Sequence, residues 1–96
     1  GRPHTVPLLY LREGADYVVI ASFAGHDRQP AWYLNLQAEP RALIQVRGKR
    51  SAVTARDAGP GERDHLWARA VQENPGYAGY QARTDRLIPV VRLQPR

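Results

Sequence analysis

The sequence predicts an α+β fold, mainly strands in antiparallel hairpins with two short helices between them. Three observations lead there. Runs rich in β-branched and aromatic residues recur at TVPLLYLR (5–12), YVVIASF (17–23), RALIQVRG (41–48), RSAVTARDA (50–58) and LIPVVRLQP (87–95). The first two runs, and the next two, are separated by short glycine-bearing turns, as in hairpins. Two longer stretches open with proline and repeat apolar residues at helical spacing. The order β-β-α-β-β-α-(turn)-β supplies five strands, which can close into a small barrel.

Each element has a local cause. Pro7 excludes a helix interior from the first run, and EGAD (13–16) makes a four-residue loop around Gly14. In the second run Val18, Val19, Ile20 and Ala21 are continuously apolar, which predicts burial on both faces. After the loop AGHDRQ (24–29), Pro30 suits the first position of a helix over AWYLNLQA, and Glu39-Pro40 ends it. On that helix Trp32 and Leu36 share one face. Asn35 shares another with Ala31 and Ala38, a small-residue face that lets something approach closely. The third strand places Leu43 and Gln45 on one side and Ile44 and Val46 on the other, and GKR (48–50) turns the chain. GPGERDHLWARAVQEN (59–74) is the strongest helix. Pro60 starts it, Glu62 and Asp64 sit at its positive end, and Leu66, Trp67, Ala70 and Val71 form its apolar stripe. Trp32 and Trp67 are expected to be structural. PGYAGYQARTD (75–85) is a loop or short helix with Tyr77 and Tyr80 three apart, and Pro89 belongs near the edge or end of the last strand.

Composition narrows the function classes. At 96 residues the chain suits one domain, residues 1–96, with one core. It has no cysteine, so disulfides, thiolate zinc sites and cysteine nucleophiles are excluded. No apolar run reaches membrane-spanning length, and GRPHTVPLLY does not read as a signal peptide. A cytoplasmic location follows as the expectation, with peripheral membrane association left open. The net charge of +5 is spread along the chain, mostly as arginine, which reads first as a solvated surface and second as attraction to phosphate or carboxylate. A nucleic-acid partner is not expected, because the aromatics lie within apolar runs rather than among clustered cations.

The catalytic inventory is sparse. Ser22 and Ser51 are the only serines, and neither stands in a nucleophile elbow. His4, His26 and His65 lack metal-ligand spacing, so no metal is expected. No glycine-rich phosphate loop is present. A hydrolase with its own triad is therefore unsupported, whereas redox chemistry on a bound cofactor needs no such inventory. Two clusters are candidates for a site: IASFAGHDRQPAWYLN (20–35), where a buried strand runs into a helix N-terminus, and PGYAGYQARTDR (75–86), with its two tyrosines.

RPHTVPLLYLREG, YVVIASFAG, PAWYLNLQAEP, TARDA and PGYAGYQARTDRLIPVV together resemble the deazaflavin-dependent nitroreductase and quinone reductase family. The resemblance implies an FMN-binding split-barrel-like fold, a small split β-barrel. It also implies an oxidoreductase that uses coenzyme F420, with FMN as the less favoured cofactor, and passes hydride to a quinone, nitroaromatic or similar small-molecule acceptor. The alternative is a non-catalytic split-barrel module that holds a flavin-type cofactor or hydrophobic ligand. By the resemblance, His4, Thr5, Val6, Pro7, Leu8 and Leu9 line the cofactor from the first strand. Ile20, Ala21, Ser22 and Phe23 pass beside its ring. Ala31, Trp32, Tyr33, Leu34 and Asn35 hold it from the helix, and Tyr77 and Tyr80 face the reacting side as the catalytic candidates. Split barrels of this kind commonly pair as homodimers. The family's basic G-R-K-S/T-G motif would end at Gly1, and Phe23 stands where a cation is common. Arg2, His4 and Arg28 are then the expected partners of the cofactor's anionic tail, which is expected to be held loosely.

Overall fold

The computed structural model describes residues 8–22 and 29–96. Its strands are β1 (Leu11–Glu13), β2 (Asp16–Ile20), β3 (Arg41–Val46), β4 (Lys49–Asp57) and β5 (Val90–Pro95), and its helices are α1 (Ala31–Ala38), α2 (Pro60–Glu73) and α3 (Gly76–Ala82). The strands form one sheet in the order β1-β2-β5-β4-β3, antiparallel throughout. The mainly-β α+β reading therefore holds. Among the described residues no ladder joins β1 to β3, so these two strands are the edges of the sheet. The last strand in sequence occupies its centre.

Several element bounds differ from the sequence reading. Glu13 pairs with Asp16, so the first turn is the two residues Gly14 and Ala15 rather than four. Gly14 takes a φ of 61°, which a side chain would resist. The second turn is Arg47-Gly48, not GKR. Both residues have positive φ, 53° and 80°, as a tight hairpin turn matched to strand twist requires. The turn therefore settles where glycine fills the second central position. Residues 8–10 are not in a strand, and residues 5–7 of the expected first strand lie outside the described residues. Pro30 caps α1 instead of opening it, with its carbonyl accepting from Tyr33 N at 3.0 Å. The segment 76–82, open between loop and helix from sequence, is the helix α3.

Side-chain alternation along the central strands builds two apolar layers, one on each face of the sheet. Val19, Ala21, Val53, Ala55, Val91 and Leu93 pack with Tyr33 under α1, with Trp32 and Leu36 at the margin. Val18, Ile20 and Val90 pack with Leu66, Ala70 and Ile88 under α2, with Trp67, Tyr77 and Tyr80 at the margin. The expected burial of β2 on both faces is seen: Val18 and Ala21 point to opposite layers and are both 0% exposed. Full burial of a side chain such as Leu66 stabilises by roughly 1.5–3 kcal/mol. Trp32 and Trp67 are structural in position but only half-buried, because each lies at the edge of its layer.

Charges tie α2 to the sheet. Arg92 Nε donates to Asp16 Oδ2 at 2.6 Å, and its Nη1 donates to Glu62 Oε2 at 2.5 Å. Arg56 holds the same Glu62 carboxylate with both terminal nitrogens, at 2.9 and 3.1 Å. Arg69 pairs with Glu13, and exposed His65 stands 3.9 Å from that carboxylate. Among the described residues no helix is long and apolar enough to cross a membrane.

Candidate functional site

The end of β2 is where the two candidate clusters meet. Strand alternation points Ile20 to the α2 side and Ala21 to the α1 side. On the α2 side lies a cavity of about 210 Å³ lined by Leu9, Tyr10, Leu11, Val18, Ile20, Glu73, Asn74 and Tyr77. Its walls are aliphatic and aromatic, with few polar groups, the kind of lining that suits a flat apolar ring with a polar rim.

Tyr77 reaches this cavity because α3 follows α2 after Asn74 and Pro75. Asn74 Oδ1 accepts from Gly76 N at 3.1 Å, and a Cβ on Gly76 would stand at that same 3.1 Å from it, so a small residue suits this tight corner. The Tyr77 ring lies 6.3 Å from that of Trp67 and 6.2 Å, edge-on, from that of Tyr80. Burial, and then the neighbouring Tyr80, push the Tyr77 phenol above its ordinary range. At neutral pH it is therefore a protonated hydrogen-bond donor. Tyr80 packs against the same layer, with the Arg83 guanidinium 6.0 Å from its ring, and does not line the cavity.

On the α1 side, Ala31, Leu34, Asn35 and Ala38 are all exposed and share the outer face of the helix. Asn35 shares its face with Ala31 and Ala38 as expected, but Leu34 stands on it too, so the face is not lined by small residues alone. Tyr33 lies elsewhere: it is buried against the sheet, where its hydroxyl donates to Asp57 Oδ2 at 2.8 Å and accepts from Gln37 Nε2 at 3.0 Å. Burial and the Asp57 carboxylate push its phenol up to about 12. This residue pins α1 to β4, and its hydroxyl is already engaged there.

Of the residues named from sequence, the cavity gathers Leu9, Ile20 and Tyr77. Leu8 is exposed. Ala21 and Trp32 belong to the layer on the opposite face, and the sheet separates α1 from the cavity. His4, Thr5, Val6, Pro7 and Phe23 lie outside the described residues, as do Arg2 and Arg28.

Ser22 and Gln29 are brought together by a residue that the sequence reading gave no role. Arg86 Nη1 donates to Ala21 O at 3.2 Å and to Gln29 Oε1 at 2.7 Å, and its Nη2 donates to Ser22 O at 2.7 Å. The flanking loop adds a backbone bond from Ala21 N to Pro89 O at 3.0 Å. Gln81 holds that loop to α3. Its Nε2 donates to Arg86 O at 2.8 Å, and its Oε1 accepts from Ile88 N at 3.0 Å. The signal available in the sequence was a Gln and an Arg within PGYAGYQARTDRLIP, close to the tyrosines.

Among the described residues no cluster of His, Asp and Glu could hold a metal ion. The arrangement is that of a small α+β domain with an apolar slot, two tyrosines, Tyr10 and Tyr77, in its wall and, among the described residues, no acid–base pair of its own, a binding site in which a cofactor would carry the chemistry. Residues 1–95 match the sequence profile of the F420H(2)-dependent quinone reductases. An F420H(2)-dependent quinone reductase of Mycobacterium tuberculosis strain H37Rv is 43% identical over 98 residues, covering 99% of this chain and 66% of the relative. A solved F420-H2 dependent reductase superposes with a TM-score of 0.85 at 41% identity, covering 93% of this chain and 79% of that one. A structure described as a domain-swapped dimer gives the same TM-score and identity, covering 93% of this chain and 67% of that one. The chain belongs to the F420H(2)-dependent quinone reductase family. It spans 66% of the length of the curated mycobacterial relative it matches.

Proposed function

We propose that this protein is an oxidoreductase that transfers hydride from reduced coenzyme F420 to a quinone, nitroaromatic or similar acceptor. The reading rests on family membership, and the observation that carries it is the apolar slot at the end of β2 with Tyr77 in its wall. Reduced F420 supplies the hydride when bound. The chain supplies position: Leu9, Leu11, Val18 and Ile20 form an apolar wall against which flat rings can lie, and a bound ring would cover the exposed Leu9. Tyr77, kept protonated, donates a hydrogen bond to the acceptor oxygen, where negative charge develops as hydride arrives. Ser22 follows the end of β2, whereas α1 and Asn35 lie across the sheet from the slot and would meet only a part of the cofactor that extends past the strand end. We further propose that residues 1–96 act as one cofactor-binding domain in the cytoplasm. We propose that it pairs with a second copy, since a close structural relative is described as a domain-swapped dimer.

A binding titration with oxidised and reduced F420 beside FMN tests the cofactor, and oxidation of the reduced deazaflavin on adding a benzoquinone or naphthoquinone tests the reaction. The expected result is saturable F420 binding and acceptor-dependent oxidation. Saturable FMN binding without F420 binding overturns the choice of cofactor. F420 binding without oxidation by any acceptor makes the chain a cofactor-holding module.

A further inference from the structure

We infer that Arg86 and Gln81 form a strut that positions the two halves of the site relative to each other, making both of them positioning residues for the reaction proposed above. The inference rests on that functional reading. Gln81 is on the same short helix as Tyr77, four residues further on. Through its side chain it grips the loop at the backbone of Arg86 and Ile88. Arg86 then reaches from that loop to the other half of the site. It caps the carbonyls of Ala21 and Ser22, where β2 ends, and the side chain of Gln29, where the chain enters α1. A planar guanidinium presents several donors in a fixed fork, so it can hold three acceptors in one arrangement, whereas an ammonium at the same place is a point charge.

The tyrosine wall and the β2–α1 junction come from segments about sixty residues apart, on opposite faces of the sheet. The main-chain bond from Ala21 N to Pro89 O also joins them, but it lies within the plane of the sheet and fixes no side-chain position beyond it. Arg86 and Gln81 extend the connection past the strand end, from the helix that carries Tyr77 to the backbone where the chain leaves β2 and enters α1, and so set how groups held by the two are aligned. Hydride transfer depends steeply on such alignment, and a displacement of about 1 Å in a reacting group costs on the order of a hundredfold in rate.

The test compares wild type with Arg86→Lys in three measurements: melting temperature, F420 affinity by titration, and kcat and KM with a soluble naphthoquinone. The expected result for Arg86→Lys is F420 affinity about tenfold weaker and kcat lower by at least as much, beyond any change explained by the fraction unfolded. Gln29→Leu removes a single acceptor and serves if Arg86→Lys does not fold. It is expected to weaken F420 binding about threefold with the melting temperature unchanged. Gln81→Leu is expected to lower kcat more than affinity, because it loosens the tyrosine side of the strut. Unchanged affinity and kcat in the folded variants, with only a lower melting temperature, reduce the strut to a fold-stabilising contact and overturn the inference alone. Wild type that fails to bind F420 overturns the functional reading and takes the inference with it.

Discussion

Asn35 shows how much a residue's place on a helix decides what it can do. It sits among apolar neighbours in AWYLNLQA, yet the structure puts it on the exposed face of α1, with Ala31, Leu34 and Ala38. Its backbone carbonyl ends the helix by accepting from Glu39 N at 2.9 Å, a role any residue could fill. An exposed amide adds little to stability, so its side chain is free to serve a ligand. The family resemblance has α1 hold part of the cofactor, although the sheet separates α1 from the slot, and on that reading Asn35→Ala is expected to weaken F420 binding by about 1 kcal/mol, the worth of one neutral hydrogen bond, with no loss of melting temperature. A titration alongside thermal melting checks both halves. Equal affinity with a large drop in melting temperature would assign the amide to structure. Tyr33, two residues earlier, shows the opposite fate: its ring and hydroxyl are consumed by the contact with Asp57 and Gln37.

At the scale of an element, α2 shows how a helix start is tied down. Pro60 supplies a preset φ, and the Glu62 side chain folds back so that Oε1 accepts from Gly59 N at 3.1 Å. The same carboxylate holds Arg56 and Arg92, which fixes the helix to β4 and β5. The Arg56 hydrogen bonds, the Gly59 amide and the charges of Arg56 and Arg92 outweigh desolvation and bring the Glu62 carboxyl down to about 2. A carboxyl depressed in the folded state binds its proton more readily when unfolded. Its contribution is thus fully present above pH 4.5 and is lost as pH falls towards about 2. Melting temperature measured across that window should fall more steeply for wild type than for Glu62→Gln, which lacks the titrating group and should start lower at neutral pH. Parallel curves would show that the network contributes nothing through this carboxylate. The Arg41–Glu39 pair is fully solvated and carries no comparable expectation.

The whole molecule is a sheet with an apolar layer on each face, and β5 at its centre contributes to both. Val91 and Leu93 face α1 while Val90 faces α2. Because one backbone serves two layers, damage on either face should be felt by the entire fold. Leu66→Ala on the α2 side and Val91→Ala on the α1 side each remove a side chain that is 2% exposed or less. The first should cost about 2–5 kcal/mol and the second less, since fewer carbons are removed. In both variants tryptophan fluorescence and far-ultraviolet circular dichroism should report one coincident transition, because Trp32 and Trp67 lie on opposite faces of the same sheet. Two separated transitions would show that the layers melt independently.

The sequence by itself determined the local elements and the class of chemistry. Proline and glycine marked the turns and the start of α2, continuous apolar residues announced the two-sided burial of β2, the sparse catalytic inventory left cofactor chemistry open, and the resemblance of the quoted motifs to the deazaflavin-dependent reductases named the cofactor. Those features are legible because they depend on neighbours a few residues away: a fixed φ at Pro60, a positive φ at Gly48, a period of 3.6 along Leu66, Trp67, Ala70 and Val71. Tertiary structure alone decided which face each site residue serves. Ile20 and Ala21 are adjacent in the chain yet enter opposite layers, and Tyr33 turns inward while Asn35 turns outward. It also gave Arg86 its partners at Ala21, Ser22 and Gln29, and the last strand its place at the centre of the sheet. Those outcomes rest on pairings between residues many tens of positions apart, and no local propensity encodes them. They are settled only when the strands take a common order and the buried polar groups find partners across it.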